Sequence, residues 1–269
     1  MKYQCFKNFK QHPEKGGDYW KNVNYDEHLK LTSHQTSYRY LLKQYPPPQK
    51  LLEAGCGIGR WVIPLLNNEY DVVGIDIEGE ALNTVKKNHA AKNLALVQGD
   101  VFNMSFPDKT FDIVLSLGVL EHFEDPSIQK KAILEHVRVL KDKGIFLITV
   151  PHLSFVRFIF HIPFLKLVSL VHLLKRKSHY FSEYRYTKPE FGRILKNCQL
   201  NVIDIVYDDL LEPYNFGLTV DYPLRKLFRT SKIQYKANKF GNKVFKLMWR
   251  MHPKLVSGGI GFICQKSNE

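Results

Sequence analysis

Three glycines spaced two apart, Gly55, Gly57 and Gly59, follow the apolar run "KLLEAG" in the stretch "LLEAGCGIGR". Glycines there let the backbone approach a ligand closely and take turns closed to residues with a Cβ. A helix after the loop would offer unpaired N–H groups and a positive dipole end. Dinucleotide loops read GxGxxG, but here the third glycine comes one residue early, and no GK[ST] follows as in a phosphate-binding P-loop. Glu53 stands two residues before the first glycine. A carboxylate there repels a pyrophosphate and suits a cationic amino group. Asp76 closes the next apolar run, where a carboxylate accepts from ribose hydroxyls. Asp100 closes the third, in "QGDV", placed to accept from an adenine amino group. One carboxylate each for an amine, a ribose and a base describes a nucleoside with a cationic tail.

The elements that must carry these groups alternate. "KLLEAG", "DVVGIDI", "LALVQGD", "FDIVLSLG" and "GIFLITVP" are apolar strand-like runs, with helical segments at 60–67, 80–89 and 127–140 among them. Continuous Val/Ile/Leu runs separated by helices predict a parallel sheet covered on both faces, an α/β doubly wound domain. After Pro151 the rhythm breaks. An apolar segment (152–177) is followed by a helix over 187–199, with Thr187 as N-cap and Pro189 in its first turn. A strand over 200–209, a long basic stretch and a last strand over 257–266 complete the chain.

These motifs, taken with "VQGDVFNMSFPDKTFDIVLSLGVLEHFEDP" and "LKDKGIFLITVP", resemble the successive motifs of class I, Rossmann-like S-adenosylmethionine-dependent methyltransferases. The resemblance is close over residues 48–151 and looser over 180–209 and 257–266. It implies a seven-stranded, mostly parallel sheet in order 3-2-1-4-5-7-6, with strand 7 antiparallel. It further implies a domain over 49–269 with two insertions, 152–186 (apolar) and 208–256 (basic). The implied cofactor is S-adenosyl-L-methionine, leaving S-adenosyl-L-homocysteine. By the same resemblance Glu53, Gly55, Gly57 and Gly59 hold its methionine part, Asp76 the ribose, and Asp100 with Val101 the adenine, with Ile77 as a further cofactor contact. Leu117 would touch it through its backbone. Residues 1–48 resemble the helical lids of such enzymes, with Tyr19, Trp20 and Tyr25 as candidate contacts.

Methyl transfer depends mainly on alignment and exclusion of water, and a hydroxyl acceptor also needs a base. The candidates are Glu121 and His122 in "LEHF", just past the fourth strand; His122 has the suitable ordinary pKa range. "VLEHFEDP" is similar to ubiquinone-type and small-RNA 2′-O-methyltransferases, whose ExxEH binds a divalent metal. Here Gly118 replaces the first carboxylate, and His152 is supported as a further ligand only by its place at a strand end, so no metal is expected.

The net charge of +13 is uneven. Residues 1–150 hold 19 Lys+Arg against 18 Asp+Glu; residues 151–269 hold 20 against 8. The excess predicts an acidic partner for the C-terminal part, or a solvated basic surface. Segment 153–174 is interrupted by Arg157, Pro163 and Lys166, which argues against a membrane span. It fits a lid over an apolar acceptor pocket, an interfacial helix, or core. With 225–254, where basic residues recur at spacings of three and four, it suits an anionic membrane surface. The expected acceptor is a small or lipid-like molecule, methylated at oxygen. RNA or tRNA is the alternative, ranked lower for want of an RNA-binding motif; a non-catalytic cofactor-binding module is a third. Four scattered cysteines and a start without an apolar run fit a cytoplasmic protein, with a peripheral place on a membrane as the alternative.

Overall fold

Strands that are apolar on both sides need cover on both sides, and the sheet has it. The computed structural model describes residues 2–7, 25–89, 93–174, 180–221, 224–229 and 235–267. Its main sheet consists of β1 (Lys50–Ala54), β2 (Asp71–Asp76), β3 (Ala95–Gln98), β4 (Phe111–Leu117), β5 (Leu140–Pro151), β6 (Leu200–Asp208) and β7 (Gly259–Lys266). Their order in space is 3-2-1-4-5-7-6. The first five pair in parallel, and β7 runs antiparallel to both β5 and β6. The helices are α1 (Tyr25–Thr32), α2 (Thr36–Gln44), α3 (Val62–Leu66), α4 (Gly79–Asn88), α5 (Pro126–Val139), α6 (Ile162–Leu174), α7 (Lys188–Lys196), α8 (Leu224–Phe228) and α9 (Lys239–Met251).

Successive residues of a strand point to opposite faces. Leu51, Ile113, Leu115, Ile145 and Leu147 pack with Tyr38, Leu41, Trp61 and Val85 on one face. Their chain neighbours Leu52, Val114, Phe146 and Ile148 pack with Ile133, Phe191 and Leu195 on the other. Helices α2, α3 and α4 therefore cover one side, and α5 and α7 the other. A smaller core of Val156, Leu218, Leu224, Phe228, Phe245 and Val256 joins the two insertions.

Local chemistry sets several boundaries. Asp125 accepts from the Ser127 N–H, and Pro126 opens α5. Asn238 accepts from the Gly241 N–H to cap α9. Thr187 has the extended backbone of an N-cap, but its side chain makes no capping bond. Strand β5 starts at Leu140, where it pairs with Phe111, and Lys143-Gly144 lies inside it instead of breaking the chain.

Two features depart from the sequence expectation. Lys2–Lys7 and Tyr180–Tyr186 form an antiparallel ribbon outside the main sheet. The segment 1–48 is thus not wholly helical, and the first insertion ends in a strand. The described helices of 1–48 also join the main core: Leu31, Tyr38 and Leu41 are buried. Tyr38 meets Trp61 edge to face at 5.0 Å.

Candidate active site

The chain order of the strands reverses between β1 and β4, and ligands of such sheets bind at that point beyond the carboxyl ends. A cavity of about 380 Å3 lies there. Its wall includes the glycine loop, Leu117 and Gly118 after β4, and Thr149 to Pro151 at the end of β5. Arg157 comes from the first insertion and Val220 and Tyr235 from the second.

The loop is built for close approach. Gly55, Gly57, Gly59 and Gly118 have φ of 78°, 52°, 70° and 72°, the left-handed region that a Cβ disfavours. A Cβ at Gly55 would also lie 2.5 Å from Val119 Cγ2. The second strand fixes the loop from beside it: Asp76 Oδ2 accepts from the Gly57 N–H at 2.6 Å, and Oδ1 from the Glu78 N–H at 2.9 Å.

Glu53 is buried at the end of β1 and accepts from the Val62 N–H at 2.8 Å. Burial pushes its carboxyl up to about 8, against the opposing pull of Arg60 and that N–H. A cationic amino group beside it would favour the ionised form. The donor set and the glycine cradle therefore fit the amino-acid end of S-adenosylmethionine.

Of the other expected cofactor contacts, Leu117 lines the cavity. Asp76, Ile77, Asp100 and Val101 do not; they lie at or just past the ends of β2 and β3. Ile77 is 63% exposed, an open apolar surface at that edge. Asp100 is exposed and accepts from the Phe102 N–H at 2.9 Å, while Val101 is buried in the core. Tyr25 packs against the core on the α1 side. Tyr19 and Trp20 lie outside the described residues.

Glu121 and His122 part company on the short helical turn Leu120–His122. Glu121 is buried, lines the cavity and hangs over Gly118, where a Cβ would lie 3.5 Å from its Oε1. Its Oε2 has no hydrogen-bond partner among the described residues. Burial raises its carboxyl to about 7, more than nearby His122 lowers it. His122 is exposed and is not part of the wall. His152 is buried on Ser257 Oγ at 2.6 Å, with burial and then Arg157 lowering its pKa to about 3. Among the described residues no three His, Cys, Asp or Glu side chains cluster as a metal site.

Sequence reasoning missed a polar network on the loop's far side. Gln35 donates to Asp208 Oδ2 at 2.6 Å and accepts from Arg60 and from the Trp61 indole at 2.6 and 3.1 Å. Gln35, Arg60, Trp61 and Asp208 all line the cavity. The available signal was the acid pair Asp208-Asp209 ending a strand at the ligand edge. Asp209 is wholly buried and accepts from the N–H groups of Leu210, Phe216, Gly217 and Gly258. It thereby ties the second insertion to the start of β7.

Sheet order and glycine cradle are those of the class I, Rossmann-like methyltransferase fold. Residues 52–148, about a third of the chain, match the family described as "Methyltransferase domain". That segment carries the glycine loop and Glu53, whose chemistry fits S-adenosylmethionine as the cofactor. Ajmaline N-methyltransferase of Rauvolfia serpentina is 36% identical over 98 residues, 34% of this chain and 32% of that protein. The tRNA (carboxymethyluridine(34)-5-O)-methyltransferase of Arabidopsis thaliana is 33% identical over 109 residues, 40% of this chain and 26% of that protein. This chain spans half or less of the length of the first curated relatives that it matches. A SAM-dependent methyltransferase from Methanosarcina mazei shares the fold at TM-score 0.57 and 17% identity, over 86% of this chain and 98% of that one. Relatives named for tRNA stand beside relatives named for small molecules, so the lower rank given above to nucleic acid is withdrawn.

Proposed function

We propose that this chain transfers a methyl group from S-adenosylmethionine to a small or lipid-like acceptor, at oxygen, inside the cavity. The observation that carries this reading is the Glu121 carboxyl. It lies on the wall, and burial raises it from the ordinary carboxylate range to about 7. Bound cofactor supplies an electrophilic methyl on a sulfonium. A hydroxyl that attacks it must lose a proton, and a positioned base contributes about 10²–10⁴-fold. Glu121, on the cavity wall, is placed to take that proton. Glu53 anchors the amino end, and Asp76 holds the loop in register. Arg157, Val220 and Tyr235 add the wall supplied by the insertions.

A second reading is supported by the tRNA-methylating relatives and by α9, whose outer face carries Lys239, Lys243, Lys246 and Arg250. RNA as acceptor would then bind with strong salt dependence. One experiment separates the two. The protein is incubated with methyl-labelled cofactor and a cell extract divided into lipid, RNA, protein and small-molecule fractions. Label in the lipid or small-molecule fraction supports the first reading. Label confined to RNA overturns it in favour of the second.

A further inference from the structure

The two insertions that wall the cavity also share an outer surface. In the first, Val156, Arg157, His161 and Ile162 turn inward and are buried. Phe155, Phe158, Ile159, Phe160, Leu167 and Leu170 point outward, each more than two-fifths exposed. In α9, Gly241 and Phe245 face the core, and one flank carries Phe240, Leu247 and Met251, each more than half exposed. Their spacings of seven and four put them on one helix face. Lys243, Lys246 and Arg250 are exposed beside them. Val156 packs with Phe228 and Phe245, so the apolar segment and α9 stand on one small core.

Exposed apolar side chains in this number mark a contact surface. Its chemistry selects the partner. Residues 152–182 and 222–268 contain no Asp or Glu, and both runs contain Lys and Arg. Glu212, from the stretch between them, pairs with Lys246. Ile159, Leu167, Leu170, Leu247 and Met251 are aliphatic, and cannot stack on bases as RNA contacts do. A second copy would bring two cationic faces together. No described helix is long and apolar enough to cross a membrane. Large apolar side chains rimmed by Lys and Arg match the boundary between anionic headgroups and acyl chains.

We infer that this face docks the protein on an anionic lipid surface, with Phe158 and Phe160 inserted and the basic side of α9 on the headgroups. Arg157 lines the cavity and is the chain neighbour of Phe158, so the cavity wall and the docking face are one segment. Docking requires no methyl transfer, and it stands or falls independently of the acceptor.

The test is flotation of the full chain with phosphatidylcholine vesicles, with and without phosphatidylserine at about 30 mol%. Flotation with the serine-containing vesicles is expected, falling at least ~10-fold without that lipid and in about 1 M salt. Phe158→Ser with Phe160→Ser, and separately Lys243→Glu with Arg250→Glu, should each lower bound protein at least ~10-fold. Both pairs are exposed, and cofactor affinity by calorimetry should stay at the parent value, showing that the fold is intact. Three results overturn the inference: wild-type protein that floats with neither vesicle, flotation unaffected by either double variant, or a dimer dissolved by the phenylalanine changes without vesicle binding.

Discussion

Arg157 and Asp221, 64 positions apart, form an ion pair in the interior, with Nε to Oδ2 at 2.5 Å and side chains 4% and 3% exposed. Arg185 adds a second guanidinium on the same carboxylate, at 2.7 and 3.1 Å. His161 Nε2 lies 3.6 Å from Oδ1. Burial alone would raise the pKa of Asp221, but Arg157, Arg185 and His161 outweigh it and hold the carboxyl far below the usual range. The carboxylate thus clamps the two insertions and the ribbon together beside the cavity.

Removing one partner of such a group leaves buried charge uncompensated. Asp221→Asn should therefore cost about 3–5 kcal/mol of stability at neutral pH. Urea unfolding at pH 7 measures it, and a loss under about 1 kcal/mol would remove the clamp as an explanation. Since the folded pKa is depressed, this contribution is present above the unfolded aspartate value and is lost as pH falls below it.

Glu121 has the opposite sign. Its folded pKa of about 7 exceeds its ordinary 4.5, so the folded state keeps a proton that the unfolded chain releases. Its contribution makes stability fall as pH rises from the lower value to the upper, by about 3 kcal/mol. Glu121→Gln should abolish that loss and be more stable than the parent above pH 7. In activity, kcat/KM should rise with pH through a midpoint near 7 to a plateau above it, and Glu121→Gln should lower it ~10²-fold and flatten the profile. His122→Ala, on the exposed side of the same turn, should change turnover less than about threefold. The reverse pattern between the two variants would give the base role to His122.

Asp76→Ala removes the acceptor that holds the Gly57 N–H. Charged acceptors of this kind are worth about 1.5–3 kcal/mol, so affinity for S-adenosylhomocysteine should fall roughly 10–150-fold. Titration calorimetry reads this directly. An unchanged affinity would mean that neither the loop nor the ribose depends on this carboxylate.

Gly55→Ala meets two penalties at once. The left-handed backbone costs about 1–2 kcal/mol with a Cβ, and the new carbon has Val119 Cγ2 in its way. Cofactor affinity should drop more than ~10-fold. Wild-type affinity in the alanine variant would show that the loop opens without strain.

The fold was legible because its signals are local. Leu51 and Leu52, Val114 and Leu115, and Phe146 and Leu147 alternate between two buried faces, and apolar runs of that kind specify a sheet covered on both sides. The ribbon was not legible. Lys2–Lys7 carries no clean alternation, and its partner lies some 180 residues away. Glu53 and the three glycines were legible for the same reason as the strands, since their positions relative to β1 fix what they can face. Gln35 was not: its partner Asp208 is 173 residues distant, and nothing in a spacing rule links them.

By itself, then, the sequence determined the sheet, the loop and the place of the Glu53 carboxylate beside it, because period and turn chemistry act over a few residues. Only the tertiary structure decided which of two adjacent side chains, Glu121 or His122, enters the cavity. A short helical turn rotates neighbours apart, and the sequence does not say which one turns inward. Only the tertiary structure, too, brought Arg157 to Asp221 and set Phe158 and Leu247 on the outside of a shared core. Those placements come from packing between segments far apart in the chain. They decide what surrounds the cavity, while local turn chemistry decides the glycine loop.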